Sequence, residues 1–178
     1  ASDVYKRQDS AWEGITLPHD YSIDQGFSTA APAEQESGYV LAGTGWYRKV
    51  FTLSEETRGK SVSVDFDGVY MNSTVYINGV KLGTHPYGYT PFSFVLPSEY
   101  LKYGGQENVI AVKVEHKQPS SRWYSGSGIY RDVNLTITDS VHVARYGTQV
   151  TTPDIAEGKG TVHVETTVQN DSSEAVDV

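Results

Sequence analysis

Apolar and polar side chains alternate with a period of two in several short stretches of this chain. The clearest stretch is residues 62–67, VSVDFD, in which Val62, Val64 and Phe66 are the apolar positions. A period of two is that of a β-strand with one face buried and the other in water. We therefore predict a strand here, with the polar side chains, Asp65 among them, facing solvent.

The next stretch predicts a β-hairpin. Residues 74–77, TVYI, have strand character and are followed directly by Asn78 and Gly79. Both residues tolerate the positive φ angles that a type I′ turn requires, and this dipeptide is the strongest short-range hairpin signal. Residues 81–83 then predict the returning strand. An aromatic loop, HPYGYTP at residues 85–91, leads into a further alternating stretch.

Strand periodicity recurs through most of the remaining chain. The other predicted strands cover residues 46–53, 108–116, 129–138, 141–145, 146–152 and 161–169. Residues 25–45 lack this periodicity and predict a long surface loop, whereas residues 97–105 predict one helical turn. Many short alternating strands separated by turn residues are typical of an all-β sandwich or jelly roll. We predict an all-β fold with one jelly-roll sandwich over residues 9–145.

Composition and charge exclude several classes of function. The chain has 178 residues, enough for one well-buried domain with a small remainder, and its net charge is −8. This acidic balance argues against a nucleic-acid partner, which requires a basic face. The absence of cysteine excludes disulfides and a thiolate zinc site. Because no apolar run approaches membrane-spanning length, we expect no membrane partner, and both a cytoplasmic and a secreted or cell-surface location stay open.

The first residues, ASDVYKRQ at positions 1–8, have no pattern that connects them to the sandwich. We expect them to be an artefact of sequence assembly or expression, with a frayed natural terminus as the alternative. They do not have the composition of a signal peptide, so a secreted parent protein would carry its signal upstream. None of the predictions below depends on them.

Four motifs occur in a fixed order along the chain. They are LPHDY at residues 17–21, GWYRK at 45–49, the hairpin region at 62–96 and RWYSGSGIYRDV at 122–133. In this order they resemble the N-terminal sugar-binding domain of glycoside hydrolase family 2, which contains bacterial β-galactosidases and their β-glucuronidase and β-mannosidase relatives. The resemblance implies a jelly-roll, galactose-binding-like sandwich. It also implies that residues 146–178 are the opening strands of the immunoglobulin-like domain that follows in the family.

The resemblance implies a retaining glycosidase, whose two catalytic glutamates lie on a (β/α)₈ barrel. This chain has no alternation of strands and helices from which a barrel could form. Its adjacent acidic residues, at positions 34 and 36 and at 55 and 56, lie in polar loops with nothing to raise a pKa. We therefore expect no catalytic residue here and no glycosidase activity from this chain alone. The implied partners are a β-galactoside, the barrel of the same polypeptide and, as an open alternative, further copies of the full-length enzyme.

Three residues are candidates for substrate binding: Asp20, Arg122 and Trp123. A loop aspartate most often closes an Asx-turn or caps a helix, but the resemblance implies that Asp20 accepts hydrogen bonds from sugar hydroxyls. The guanidinium fork of Arg122 can donate to neighbouring hydroxyls, with a surface salt bridge as the alternative. Trp123, with Tyr124 beside it, offers a face for the apolar side of a pyranose, with a place in the core as the alternative for Trp123. We predict that Asp20 and Arg122 lie at the same end of the sandwich.

No metal or other cofactor is expected. His19 has no second histidine at metal-ligand spacing. The family's best-known β-galactosidases have a longer acidic loop with sodium-related ligands, whereas this chain has KQPSS at residues 117–121. The rival interpretation is a free-standing carbohydrate-binding or adhesion module with Tyr87, Tyr89 and Trp123 as its platform. Within the enzyme class, β-glucuronidase and β-mannosidase stay open, but the resemblance of PHDY at residues 18–21 and of RWYSG at residues 122–126 favours β-galactosidase.

Overall fold

Eleven strands dominate the computed structural model, which describes residues 12–119 and 123–178. The strands are β1 Gly43–Thr52, β2 Ser61–Phe66, β3 Val69–Tyr70, β4 Ser73–Ile77, β5 Val80–His85, β6 Phe92–Val95, β7 Glu107–His116, β8 Gly128–Ile129, β9 Val133–Thr138, β10 Val141–Ala156 and β11 Lys159–Asn170. The helical elements are short: α1, Tyr21–Asp24, and three 3₁₀ turns, Glu34–Ser37, Glu55–Thr57 and Ser98–Tyr100. The predicted all-β class is confirmed.

Two antiparallel sheets form the sandwich. One has four strands in the order β1-β7-β4-β5, and the other has three in the order β6-β2-β9. Apolar side chains from both sheets meet in one buried cluster, as expected for a sandwich core. The first sheet contributes Val75, Ile77, Val112 and Val114, and the second contributes Val62, Val64 and Phe66. The predicted inward face of β2 is therefore confirmed.

The predicted type I′ hairpin is present between β4 and β5. Asn78 and Gly79 have φ angles of 48° and 87°, and Ile77 pairs with Val80 across the turn. The Asn78 side chain adds long-range support. Its Oδ1 accepts from the backbone N–H of Val109 at 2.9 Å, and its Nδ2 donates to Oδ1 of the fully buried Asn108 at 2.9 Å.

Asp65 was expected to face solvent, and this prediction is wrong. Its side chain is buried, with 8% of the residue exposed. The carboxylate accepts a hydrogen bond from the Ser93 hydroxyl at 2.6 Å and another from the Thr136 hydroxyl. These hydroxyls come from β6 and β9, the two neighbours of β2, and they replace the water that a buried carboxylate would lose.

Residues 25–42 form a loop, as predicted, and the loop has an internal structure; residues 43–45, predicted as part of the loop, belong to β1. Phe27 and Val40 pair in an isolated β-bridge, and the 3₁₀ turn Glu34–Ser37 lies between them. Ala31 and Ala33 are buried within the loop. A loop whose ends are close and whose own side chains pack inside it is an Ω-loop.

Two strand predictions in the second half of the chain differ from the structure. Residues 129–138 form two strands, because β8 pairs with β3 while β9 pairs with β2 in the other sheet. Residues 141–152, predicted as two strands, belong to the single long strand β10. The predicted break at Tyr146 corresponds to a shift in the register of β10 with β11, and Tyr146 has a φ of 54°.

The chain divides into two compact units. One comprises the chain up to Arg58 together with Val62–Thr136, and the other comprises Gly59–Ser61 and Ile137–Val178. The second unit contains the antiparallel hairpin of β10 and β11. The proposed domain boundary at residue 145, and the immunoglobulin-like nature of residues 146–178, stay predictions; residues 1–8 lie outside the described residues. None of the helices in the described part of the chain has the length and apolarity to span a membrane.

Candidate functional site

Asp20 lies at the N-terminus of α1 and caps it. Its backbone is extended, with φ −129° and ψ 102°, and its Oδ1 accepts from the backbone N–H of Ser22 at 2.9 Å. This is the local capping arrangement that a loop aspartate favours. The contact uses one lone pair of one oxygen, so the capping role leaves capacity for other partners.

A second loop, residues 123–128, also holds the Asp20 carboxylate. The backbone N–H of Ser127 donates to Oδ1 at 2.9 Å, and the hydroxyl of Tyr124 donates to Oδ2. Burial and the negative charge of Asp20 both raise the pKa of Tyr124, so the phenol keeps its proton and remains a donor. The structure therefore brings Asp20 together with the loop that begins at the predicted sugar-binding residue Trp123.

Two glycines allow this close approach. Gly126 has a φ of 54°, and a Cβ there would lie 2.6 Å from Oδ2 of Asp20. Gly128 has a φ of 139°, and a Cβ there would lie 2.3 Å from the hydroxyl of Tyr47. Both positions require a backbone conformation that favours glycine. The Ser-Gly-Ser-Gly run in the sequence thus has a specific steric reason at each glycine.

A buried polar cluster lies behind the carboxylate. The Ser127 hydroxyl is 2.5 Å from the Ser22 hydroxyl and 2.6 Å from Nδ1 of His116. All three residues are buried, with 5% or less of each exposed. Burial lowers the pKa of His116, and the nearby charge of Asp20 opposes this effect only in part. The imidazole is therefore held as the neutral form at neutral pH.

His19 joins the same end of the fold through its two ring nitrogens. Nδ1 lies 2.8 Å from the hydroxyl of Tyr47, and Nε2 lies 2.8 Å from Oδ2 of Asp24. Burial raises the pKa of Tyr47 well above its usual range, so its hydroxyl is protonated. Because each nitrogen has a partner, His19 fixes the segment before α1 against β1.

A shallow depression lies beside α1 and includes part of the surface of His19 and Asp20. Its lining residues are Pro18, His19, Asp20, Ile23, Asp24 and Tyr130. The depression combines apolar surface with two carboxylates, which are acceptors for the hydroxyl groups of a polyol. Across residues 12–119 and 123–178, no three histidine, aspartate or glutamate side chains converge to hold a metal ion.

The two other predicted site residues have different outcomes. Trp123 is 71% exposed, so the alternative of a core position is wrong. The edge of its ring lies over Gly38 of the Ω-loop, 3.8 Å from where a Cβ would be. Arg122 lies outside the described residues, so its placement beside Asp20 stays a prediction. Tyr124, two positions further along, does contact Asp20.

Sequence reasoning did not single out the residues that support Asp20. Tyr124 was expected to offer an aromatic face beside Trp123 and not to donate to Asp20, and Ser127 and His116 received no role. One signal was available for Ser127. It lies between two glycines in the run SGSG, residues 125–128, which directly follows the aromatic pair. His116 offered no local signal, since its role depends on a contact between the end of β7 and a loop.

The fold and this site define a class: an all-β sandwich whose loops, the usual place for binding groups on a rigid scaffold, present a fixed carboxylate and an exposed tryptophan. The chain belongs to glycosyl hydrolase family 2, as its sugar binding domain. The family model for this domain matches residues 17–139.

Relatives and solved structures agree with this assignment. The chain is 47% identical over 165 residues to beta-galactosidase BoGH2A of Bacteroides ovatus, covering 92% of this chain and 19% of the relative. It is 41% identical to a putative beta-glucuronidase of Formosa agariphila, covering 90% and 15%. A crystal structure of a glycosyl hydrolase family 2 member from Bacteroides cellulosilyticus superposes with a TM-score of 0.85 at 42% identity, covering 91% and 21%. The chain thus spans no more than about a fifth of the length of these relatives.

Proposed function

We propose that this chain is the non-catalytic sugar-binding part of a retaining β-galactosidase. In this proposal the catalytic glutamates lie on a barrel elsewhere in the same polypeptide, and the chain alone hydrolyses no glycoside. Asp20, Arg122 and Trp123 contact the terminal sugar. The observation that carries the proposal is the arrangement around Asp20, whose carboxylate is held by donors from α1 and from the 123–128 loop.

The held carboxylate explains how a domain without catalytic residues can raise the rate. A flexible acceptor would lose conformational entropy when it binds a hydroxyl, whereas Asp20 is ordered before the sugar arrives. Hydrogen bonds to non-reacting hydroxyls can then position and distort the sugar at the reacting carbon. Trp123, exposed at the start of the same loop, provides a surface for the apolar face of the ring.

The charge of the depression favours a neutral sugar. Asp20 and Asp24 both line it, and a uronate carboxylate beside them would be repelled unless a cation intervened. This supports a β-galactoside over a β-glucuronide. β-Glucuronidase is the second candidate, because several relatives are named so, and Arg122 would then be the cation that accepts the uronate.

Kinetics of the complete polypeptide test this proposal. We expect chromogenic β-galactosides to be hydrolysed with a higher kcat/KM than the matching β-glucuronides. Asp20→Ala should lower kcat/KM for the galactoside about tenfold or more, which corresponds to a loss of about 1.4 kcal/mol of transition-state stabilisation. Asp154→Ala, in the exposed hairpin, is the matched control and should leave the kinetics unchanged.

Three results would count against the proposal. Unchanged kinetics in Asp20→Ala would remove Asp20 from the site. A preference for the glucuronide would favour β-glucuronidase, the second candidate. Hydrolysis by the 178-residue chain alone, above the level of a preparation of the Asp20→Ala chain from the same host, would place catalytic residues within it.

The free-standing module keeps one observation in its favour. Tyr87 and Tyr89 are each more than half exposed, and their ring centroids are 5.7 Å apart. If these rings form the sugar platform, the chain alone should bind oligosaccharides and lose that binding in the variant with Tyr87→Ala and Tyr89→Ala. Our proposal expects that double variant to behave as the parent chain in a titration with lactose.

A further inference from the structure

A buried histidine connects the four-stranded sheet to the Asp20 carboxylate through one intermediate residue. His116 is the last residue of β7 and pairs with Gly43 of β1. Its Nδ1 lies 2.6 Å from the Ser127 hydroxyl, and the backbone N–H of the same Ser127 donates to Asp20 at 2.9 Å. We propose that His116 is a positioning residue, which holds Ser127 so that its amide is aimed at Asp20.

The position of His116 suits this role because packing holds its ring and a sheet holds its backbone. The ring of Tyr70, in β3, lies nearly perpendicular to it at an interplanar angle of 86°, with 5.0 Å between centroids. The backbone of His116 is held in the antiparallel ladder with β1. A side chain fixed by packing and by a sheet can orient a loop residue more accurately than another loop residue could.

Ser127 is suited to transmit this order. It is almost completely buried, and its hydroxyl contacts both His116 and the Ser22 hydroxyl. Ser22 and Ser127 also supply the two backbone N–H groups that meet at Oδ1 of Asp20. The hydroxyl contacts therefore set the separation of these two amides. A displacement of Ser127 would lengthen one of the two hydrogen bonds and leave the other unchanged.

The two bonds to Oδ1 differ in their origin. The bond from Ser22 is local, because it joins residues two apart within one helix cap, and it forms whenever α1 forms. The bond from Ser127 joins residues 107 apart in the sequence and depends on the placement of the 123–128 loop. Loss of His116 should therefore weaken the Ser127 bond selectively. A general loss of stability would instead affect the Ser22 and Ser127 hydrogen bonds alike.

Amide proton shifts of the 178-residue chain, measured by NMR across an acid titration, separate these cases. A hydrogen bond to a carboxylate moves the amide proton downfield, and protonation of the carboxylate removes the shift. In the parent chain we expect the amide protons of Ser22 and Ser127 to move upfield together during the acid titration. In His116→Leu the Ser127 amide should lose its acid-dependent shift, while the Ser22 amide keeps it.

Three further variants make the test specific. His116→Asn should restore the Ser127 shift, because both side chains branch at Cγ and the asparagine amide can occupy the place of Nδ1. Ser127→Ala keeps the backbone amide but removes the hydroxyl, so it should lose the shift and show no additional loss when combined with His116→Leu. Val114→Ala, a buried change on the same strand, should destabilise the fold and preserve both shifts.

The outcomes separate this inference from the proposed function on which it rests. An unchanged Ser127 shift in both His116→Leu and Ser127→Ala would overturn the positioning role, as would equal loss of both amide shifts in Val114→Ala. If His116→Leu fails to fold, Ser127→Ala and His116→Asn still decide the question. The measurement contains no sugar, so a failure of Asp20 to bind substrate would leave its result intact.

Discussion

Two hairpins of this chain have two-residue turns with similar φ angles but differ in how far their strands are buried. The β4–β5 hairpin turns at Asn78-Gly79, with φ angles of 48° and 87°, and the β10–β11 hairpin turns at Glu157-Gly158, with 48° and 80°. In each case the flanking strands pair across two residues. Four of the five residues of β4 are buried, whereas every residue of β11 is exposed.

The two turns give the same two-residue register, so we expect the difference in burial to make the first hairpin the more stable one. An isolated two-stranded ribbon is marginal in water because neither face is covered. Residues 162, 164 and 168 of β11 are valines on one face, each more than 40% exposed. The first hairpin belongs to a four-stranded sheet, and its side chains Val75 and Ile77 enter the common core.

Truncation of one apolar side chain in each hairpin should give the largest contrast. Ile77→Ala removes a completely buried side chain and should lower the free energy of unfolding by about 2–5 kcal/mol. Val164→Ala, on the exposed face of β11, should change it by no more than about 0.5 kcal/mol. Urea unfolding followed by tryptophan fluorescence measures both. Equal effects would show that the second hairpin is packed as tightly as the first.

The turns themselves should respond in opposite directions. Asn78→Ala puts at positive φ a residue that tolerates this conformation less well than asparagine does, and it removes side-chain hydrogen bonds, including those to Asn108 and Val109. We expect a loss of about 3 kcal/mol, from about 1 for the conformation and about 1 for each of these two bonds. Glu157→Gly removes the strain of a positive φ at a residue with a side chain, and it should stabilise the second hairpin by about 1 kcal/mol. Urea unfolding reports the first change and amide hydrogen exchange in β11 the second. Destabilisation by Glu157→Gly would contradict this account.

The smallest expected effect is a pH dependence of the free energy of unfolding of the sandwich, caused by His116. Burial lowers the pKa of His116 in the folded chain, whereas the unfolded chain has a value of about 6.5. Above that pH the imidazole is neutral in both states. As the pH falls below it, the unfolded chain binds a proton that the folded chain does not, so the free energy of unfolding decreases until the folded pKa is passed.

Variants at two histidines isolate this contribution. His116→Asn should flatten the decrease in unfolding free energy that the parent chain shows as the pH falls below about 6.5. His163→Asn, on the exposed strand β11, is the matched control, and its curve should follow that of the parent chain. Overlapping curves for His116→Asn and the parent chain would mean that the His116 environment does not disfavour the imidazolium.

Local sequence patterns predicted the elements of the fold better than the contacts between them. The strands β2, β4 and β7 and the type I′ turn follow from periodicity and from residue types within a few positions. The burial of Asp65 could not be predicted, because its partners Ser93 and Thr136 lie 28 and 71 residues away. The division of residues 129–138 into two strands also depends on which sheet each half joins.

The candidate site shows the same limit. Asp20 was predicted both as a capping residue and, through the family resemblance, as a sugar contact, and the capping role is confirmed. The sequence did not indicate that Tyr124 and Ser127 would hold its carboxylate, since these contacts span 104 and 107 residues. The steric requirement at Gly126 likewise exists only once the loop is placed against Asp20.

The most direct test of the central claim is a crystal structure of the complete polypeptide with bound galactose. The account predicts that a sugar hydroxyl lies within hydrogen-bonding distance, about 2.5–3.0 Å, of a carboxylate oxygen of Asp20. It also predicts that Ser22 and Ser127 keep their hydrogen bonds to Oδ1, and that Arg122 and Trp123 contact the same sugar ring. A galactose bound in the catalytic barrel with no contact to Asp20, or with its nearest atom beyond about 4 Å, would contradict the claim.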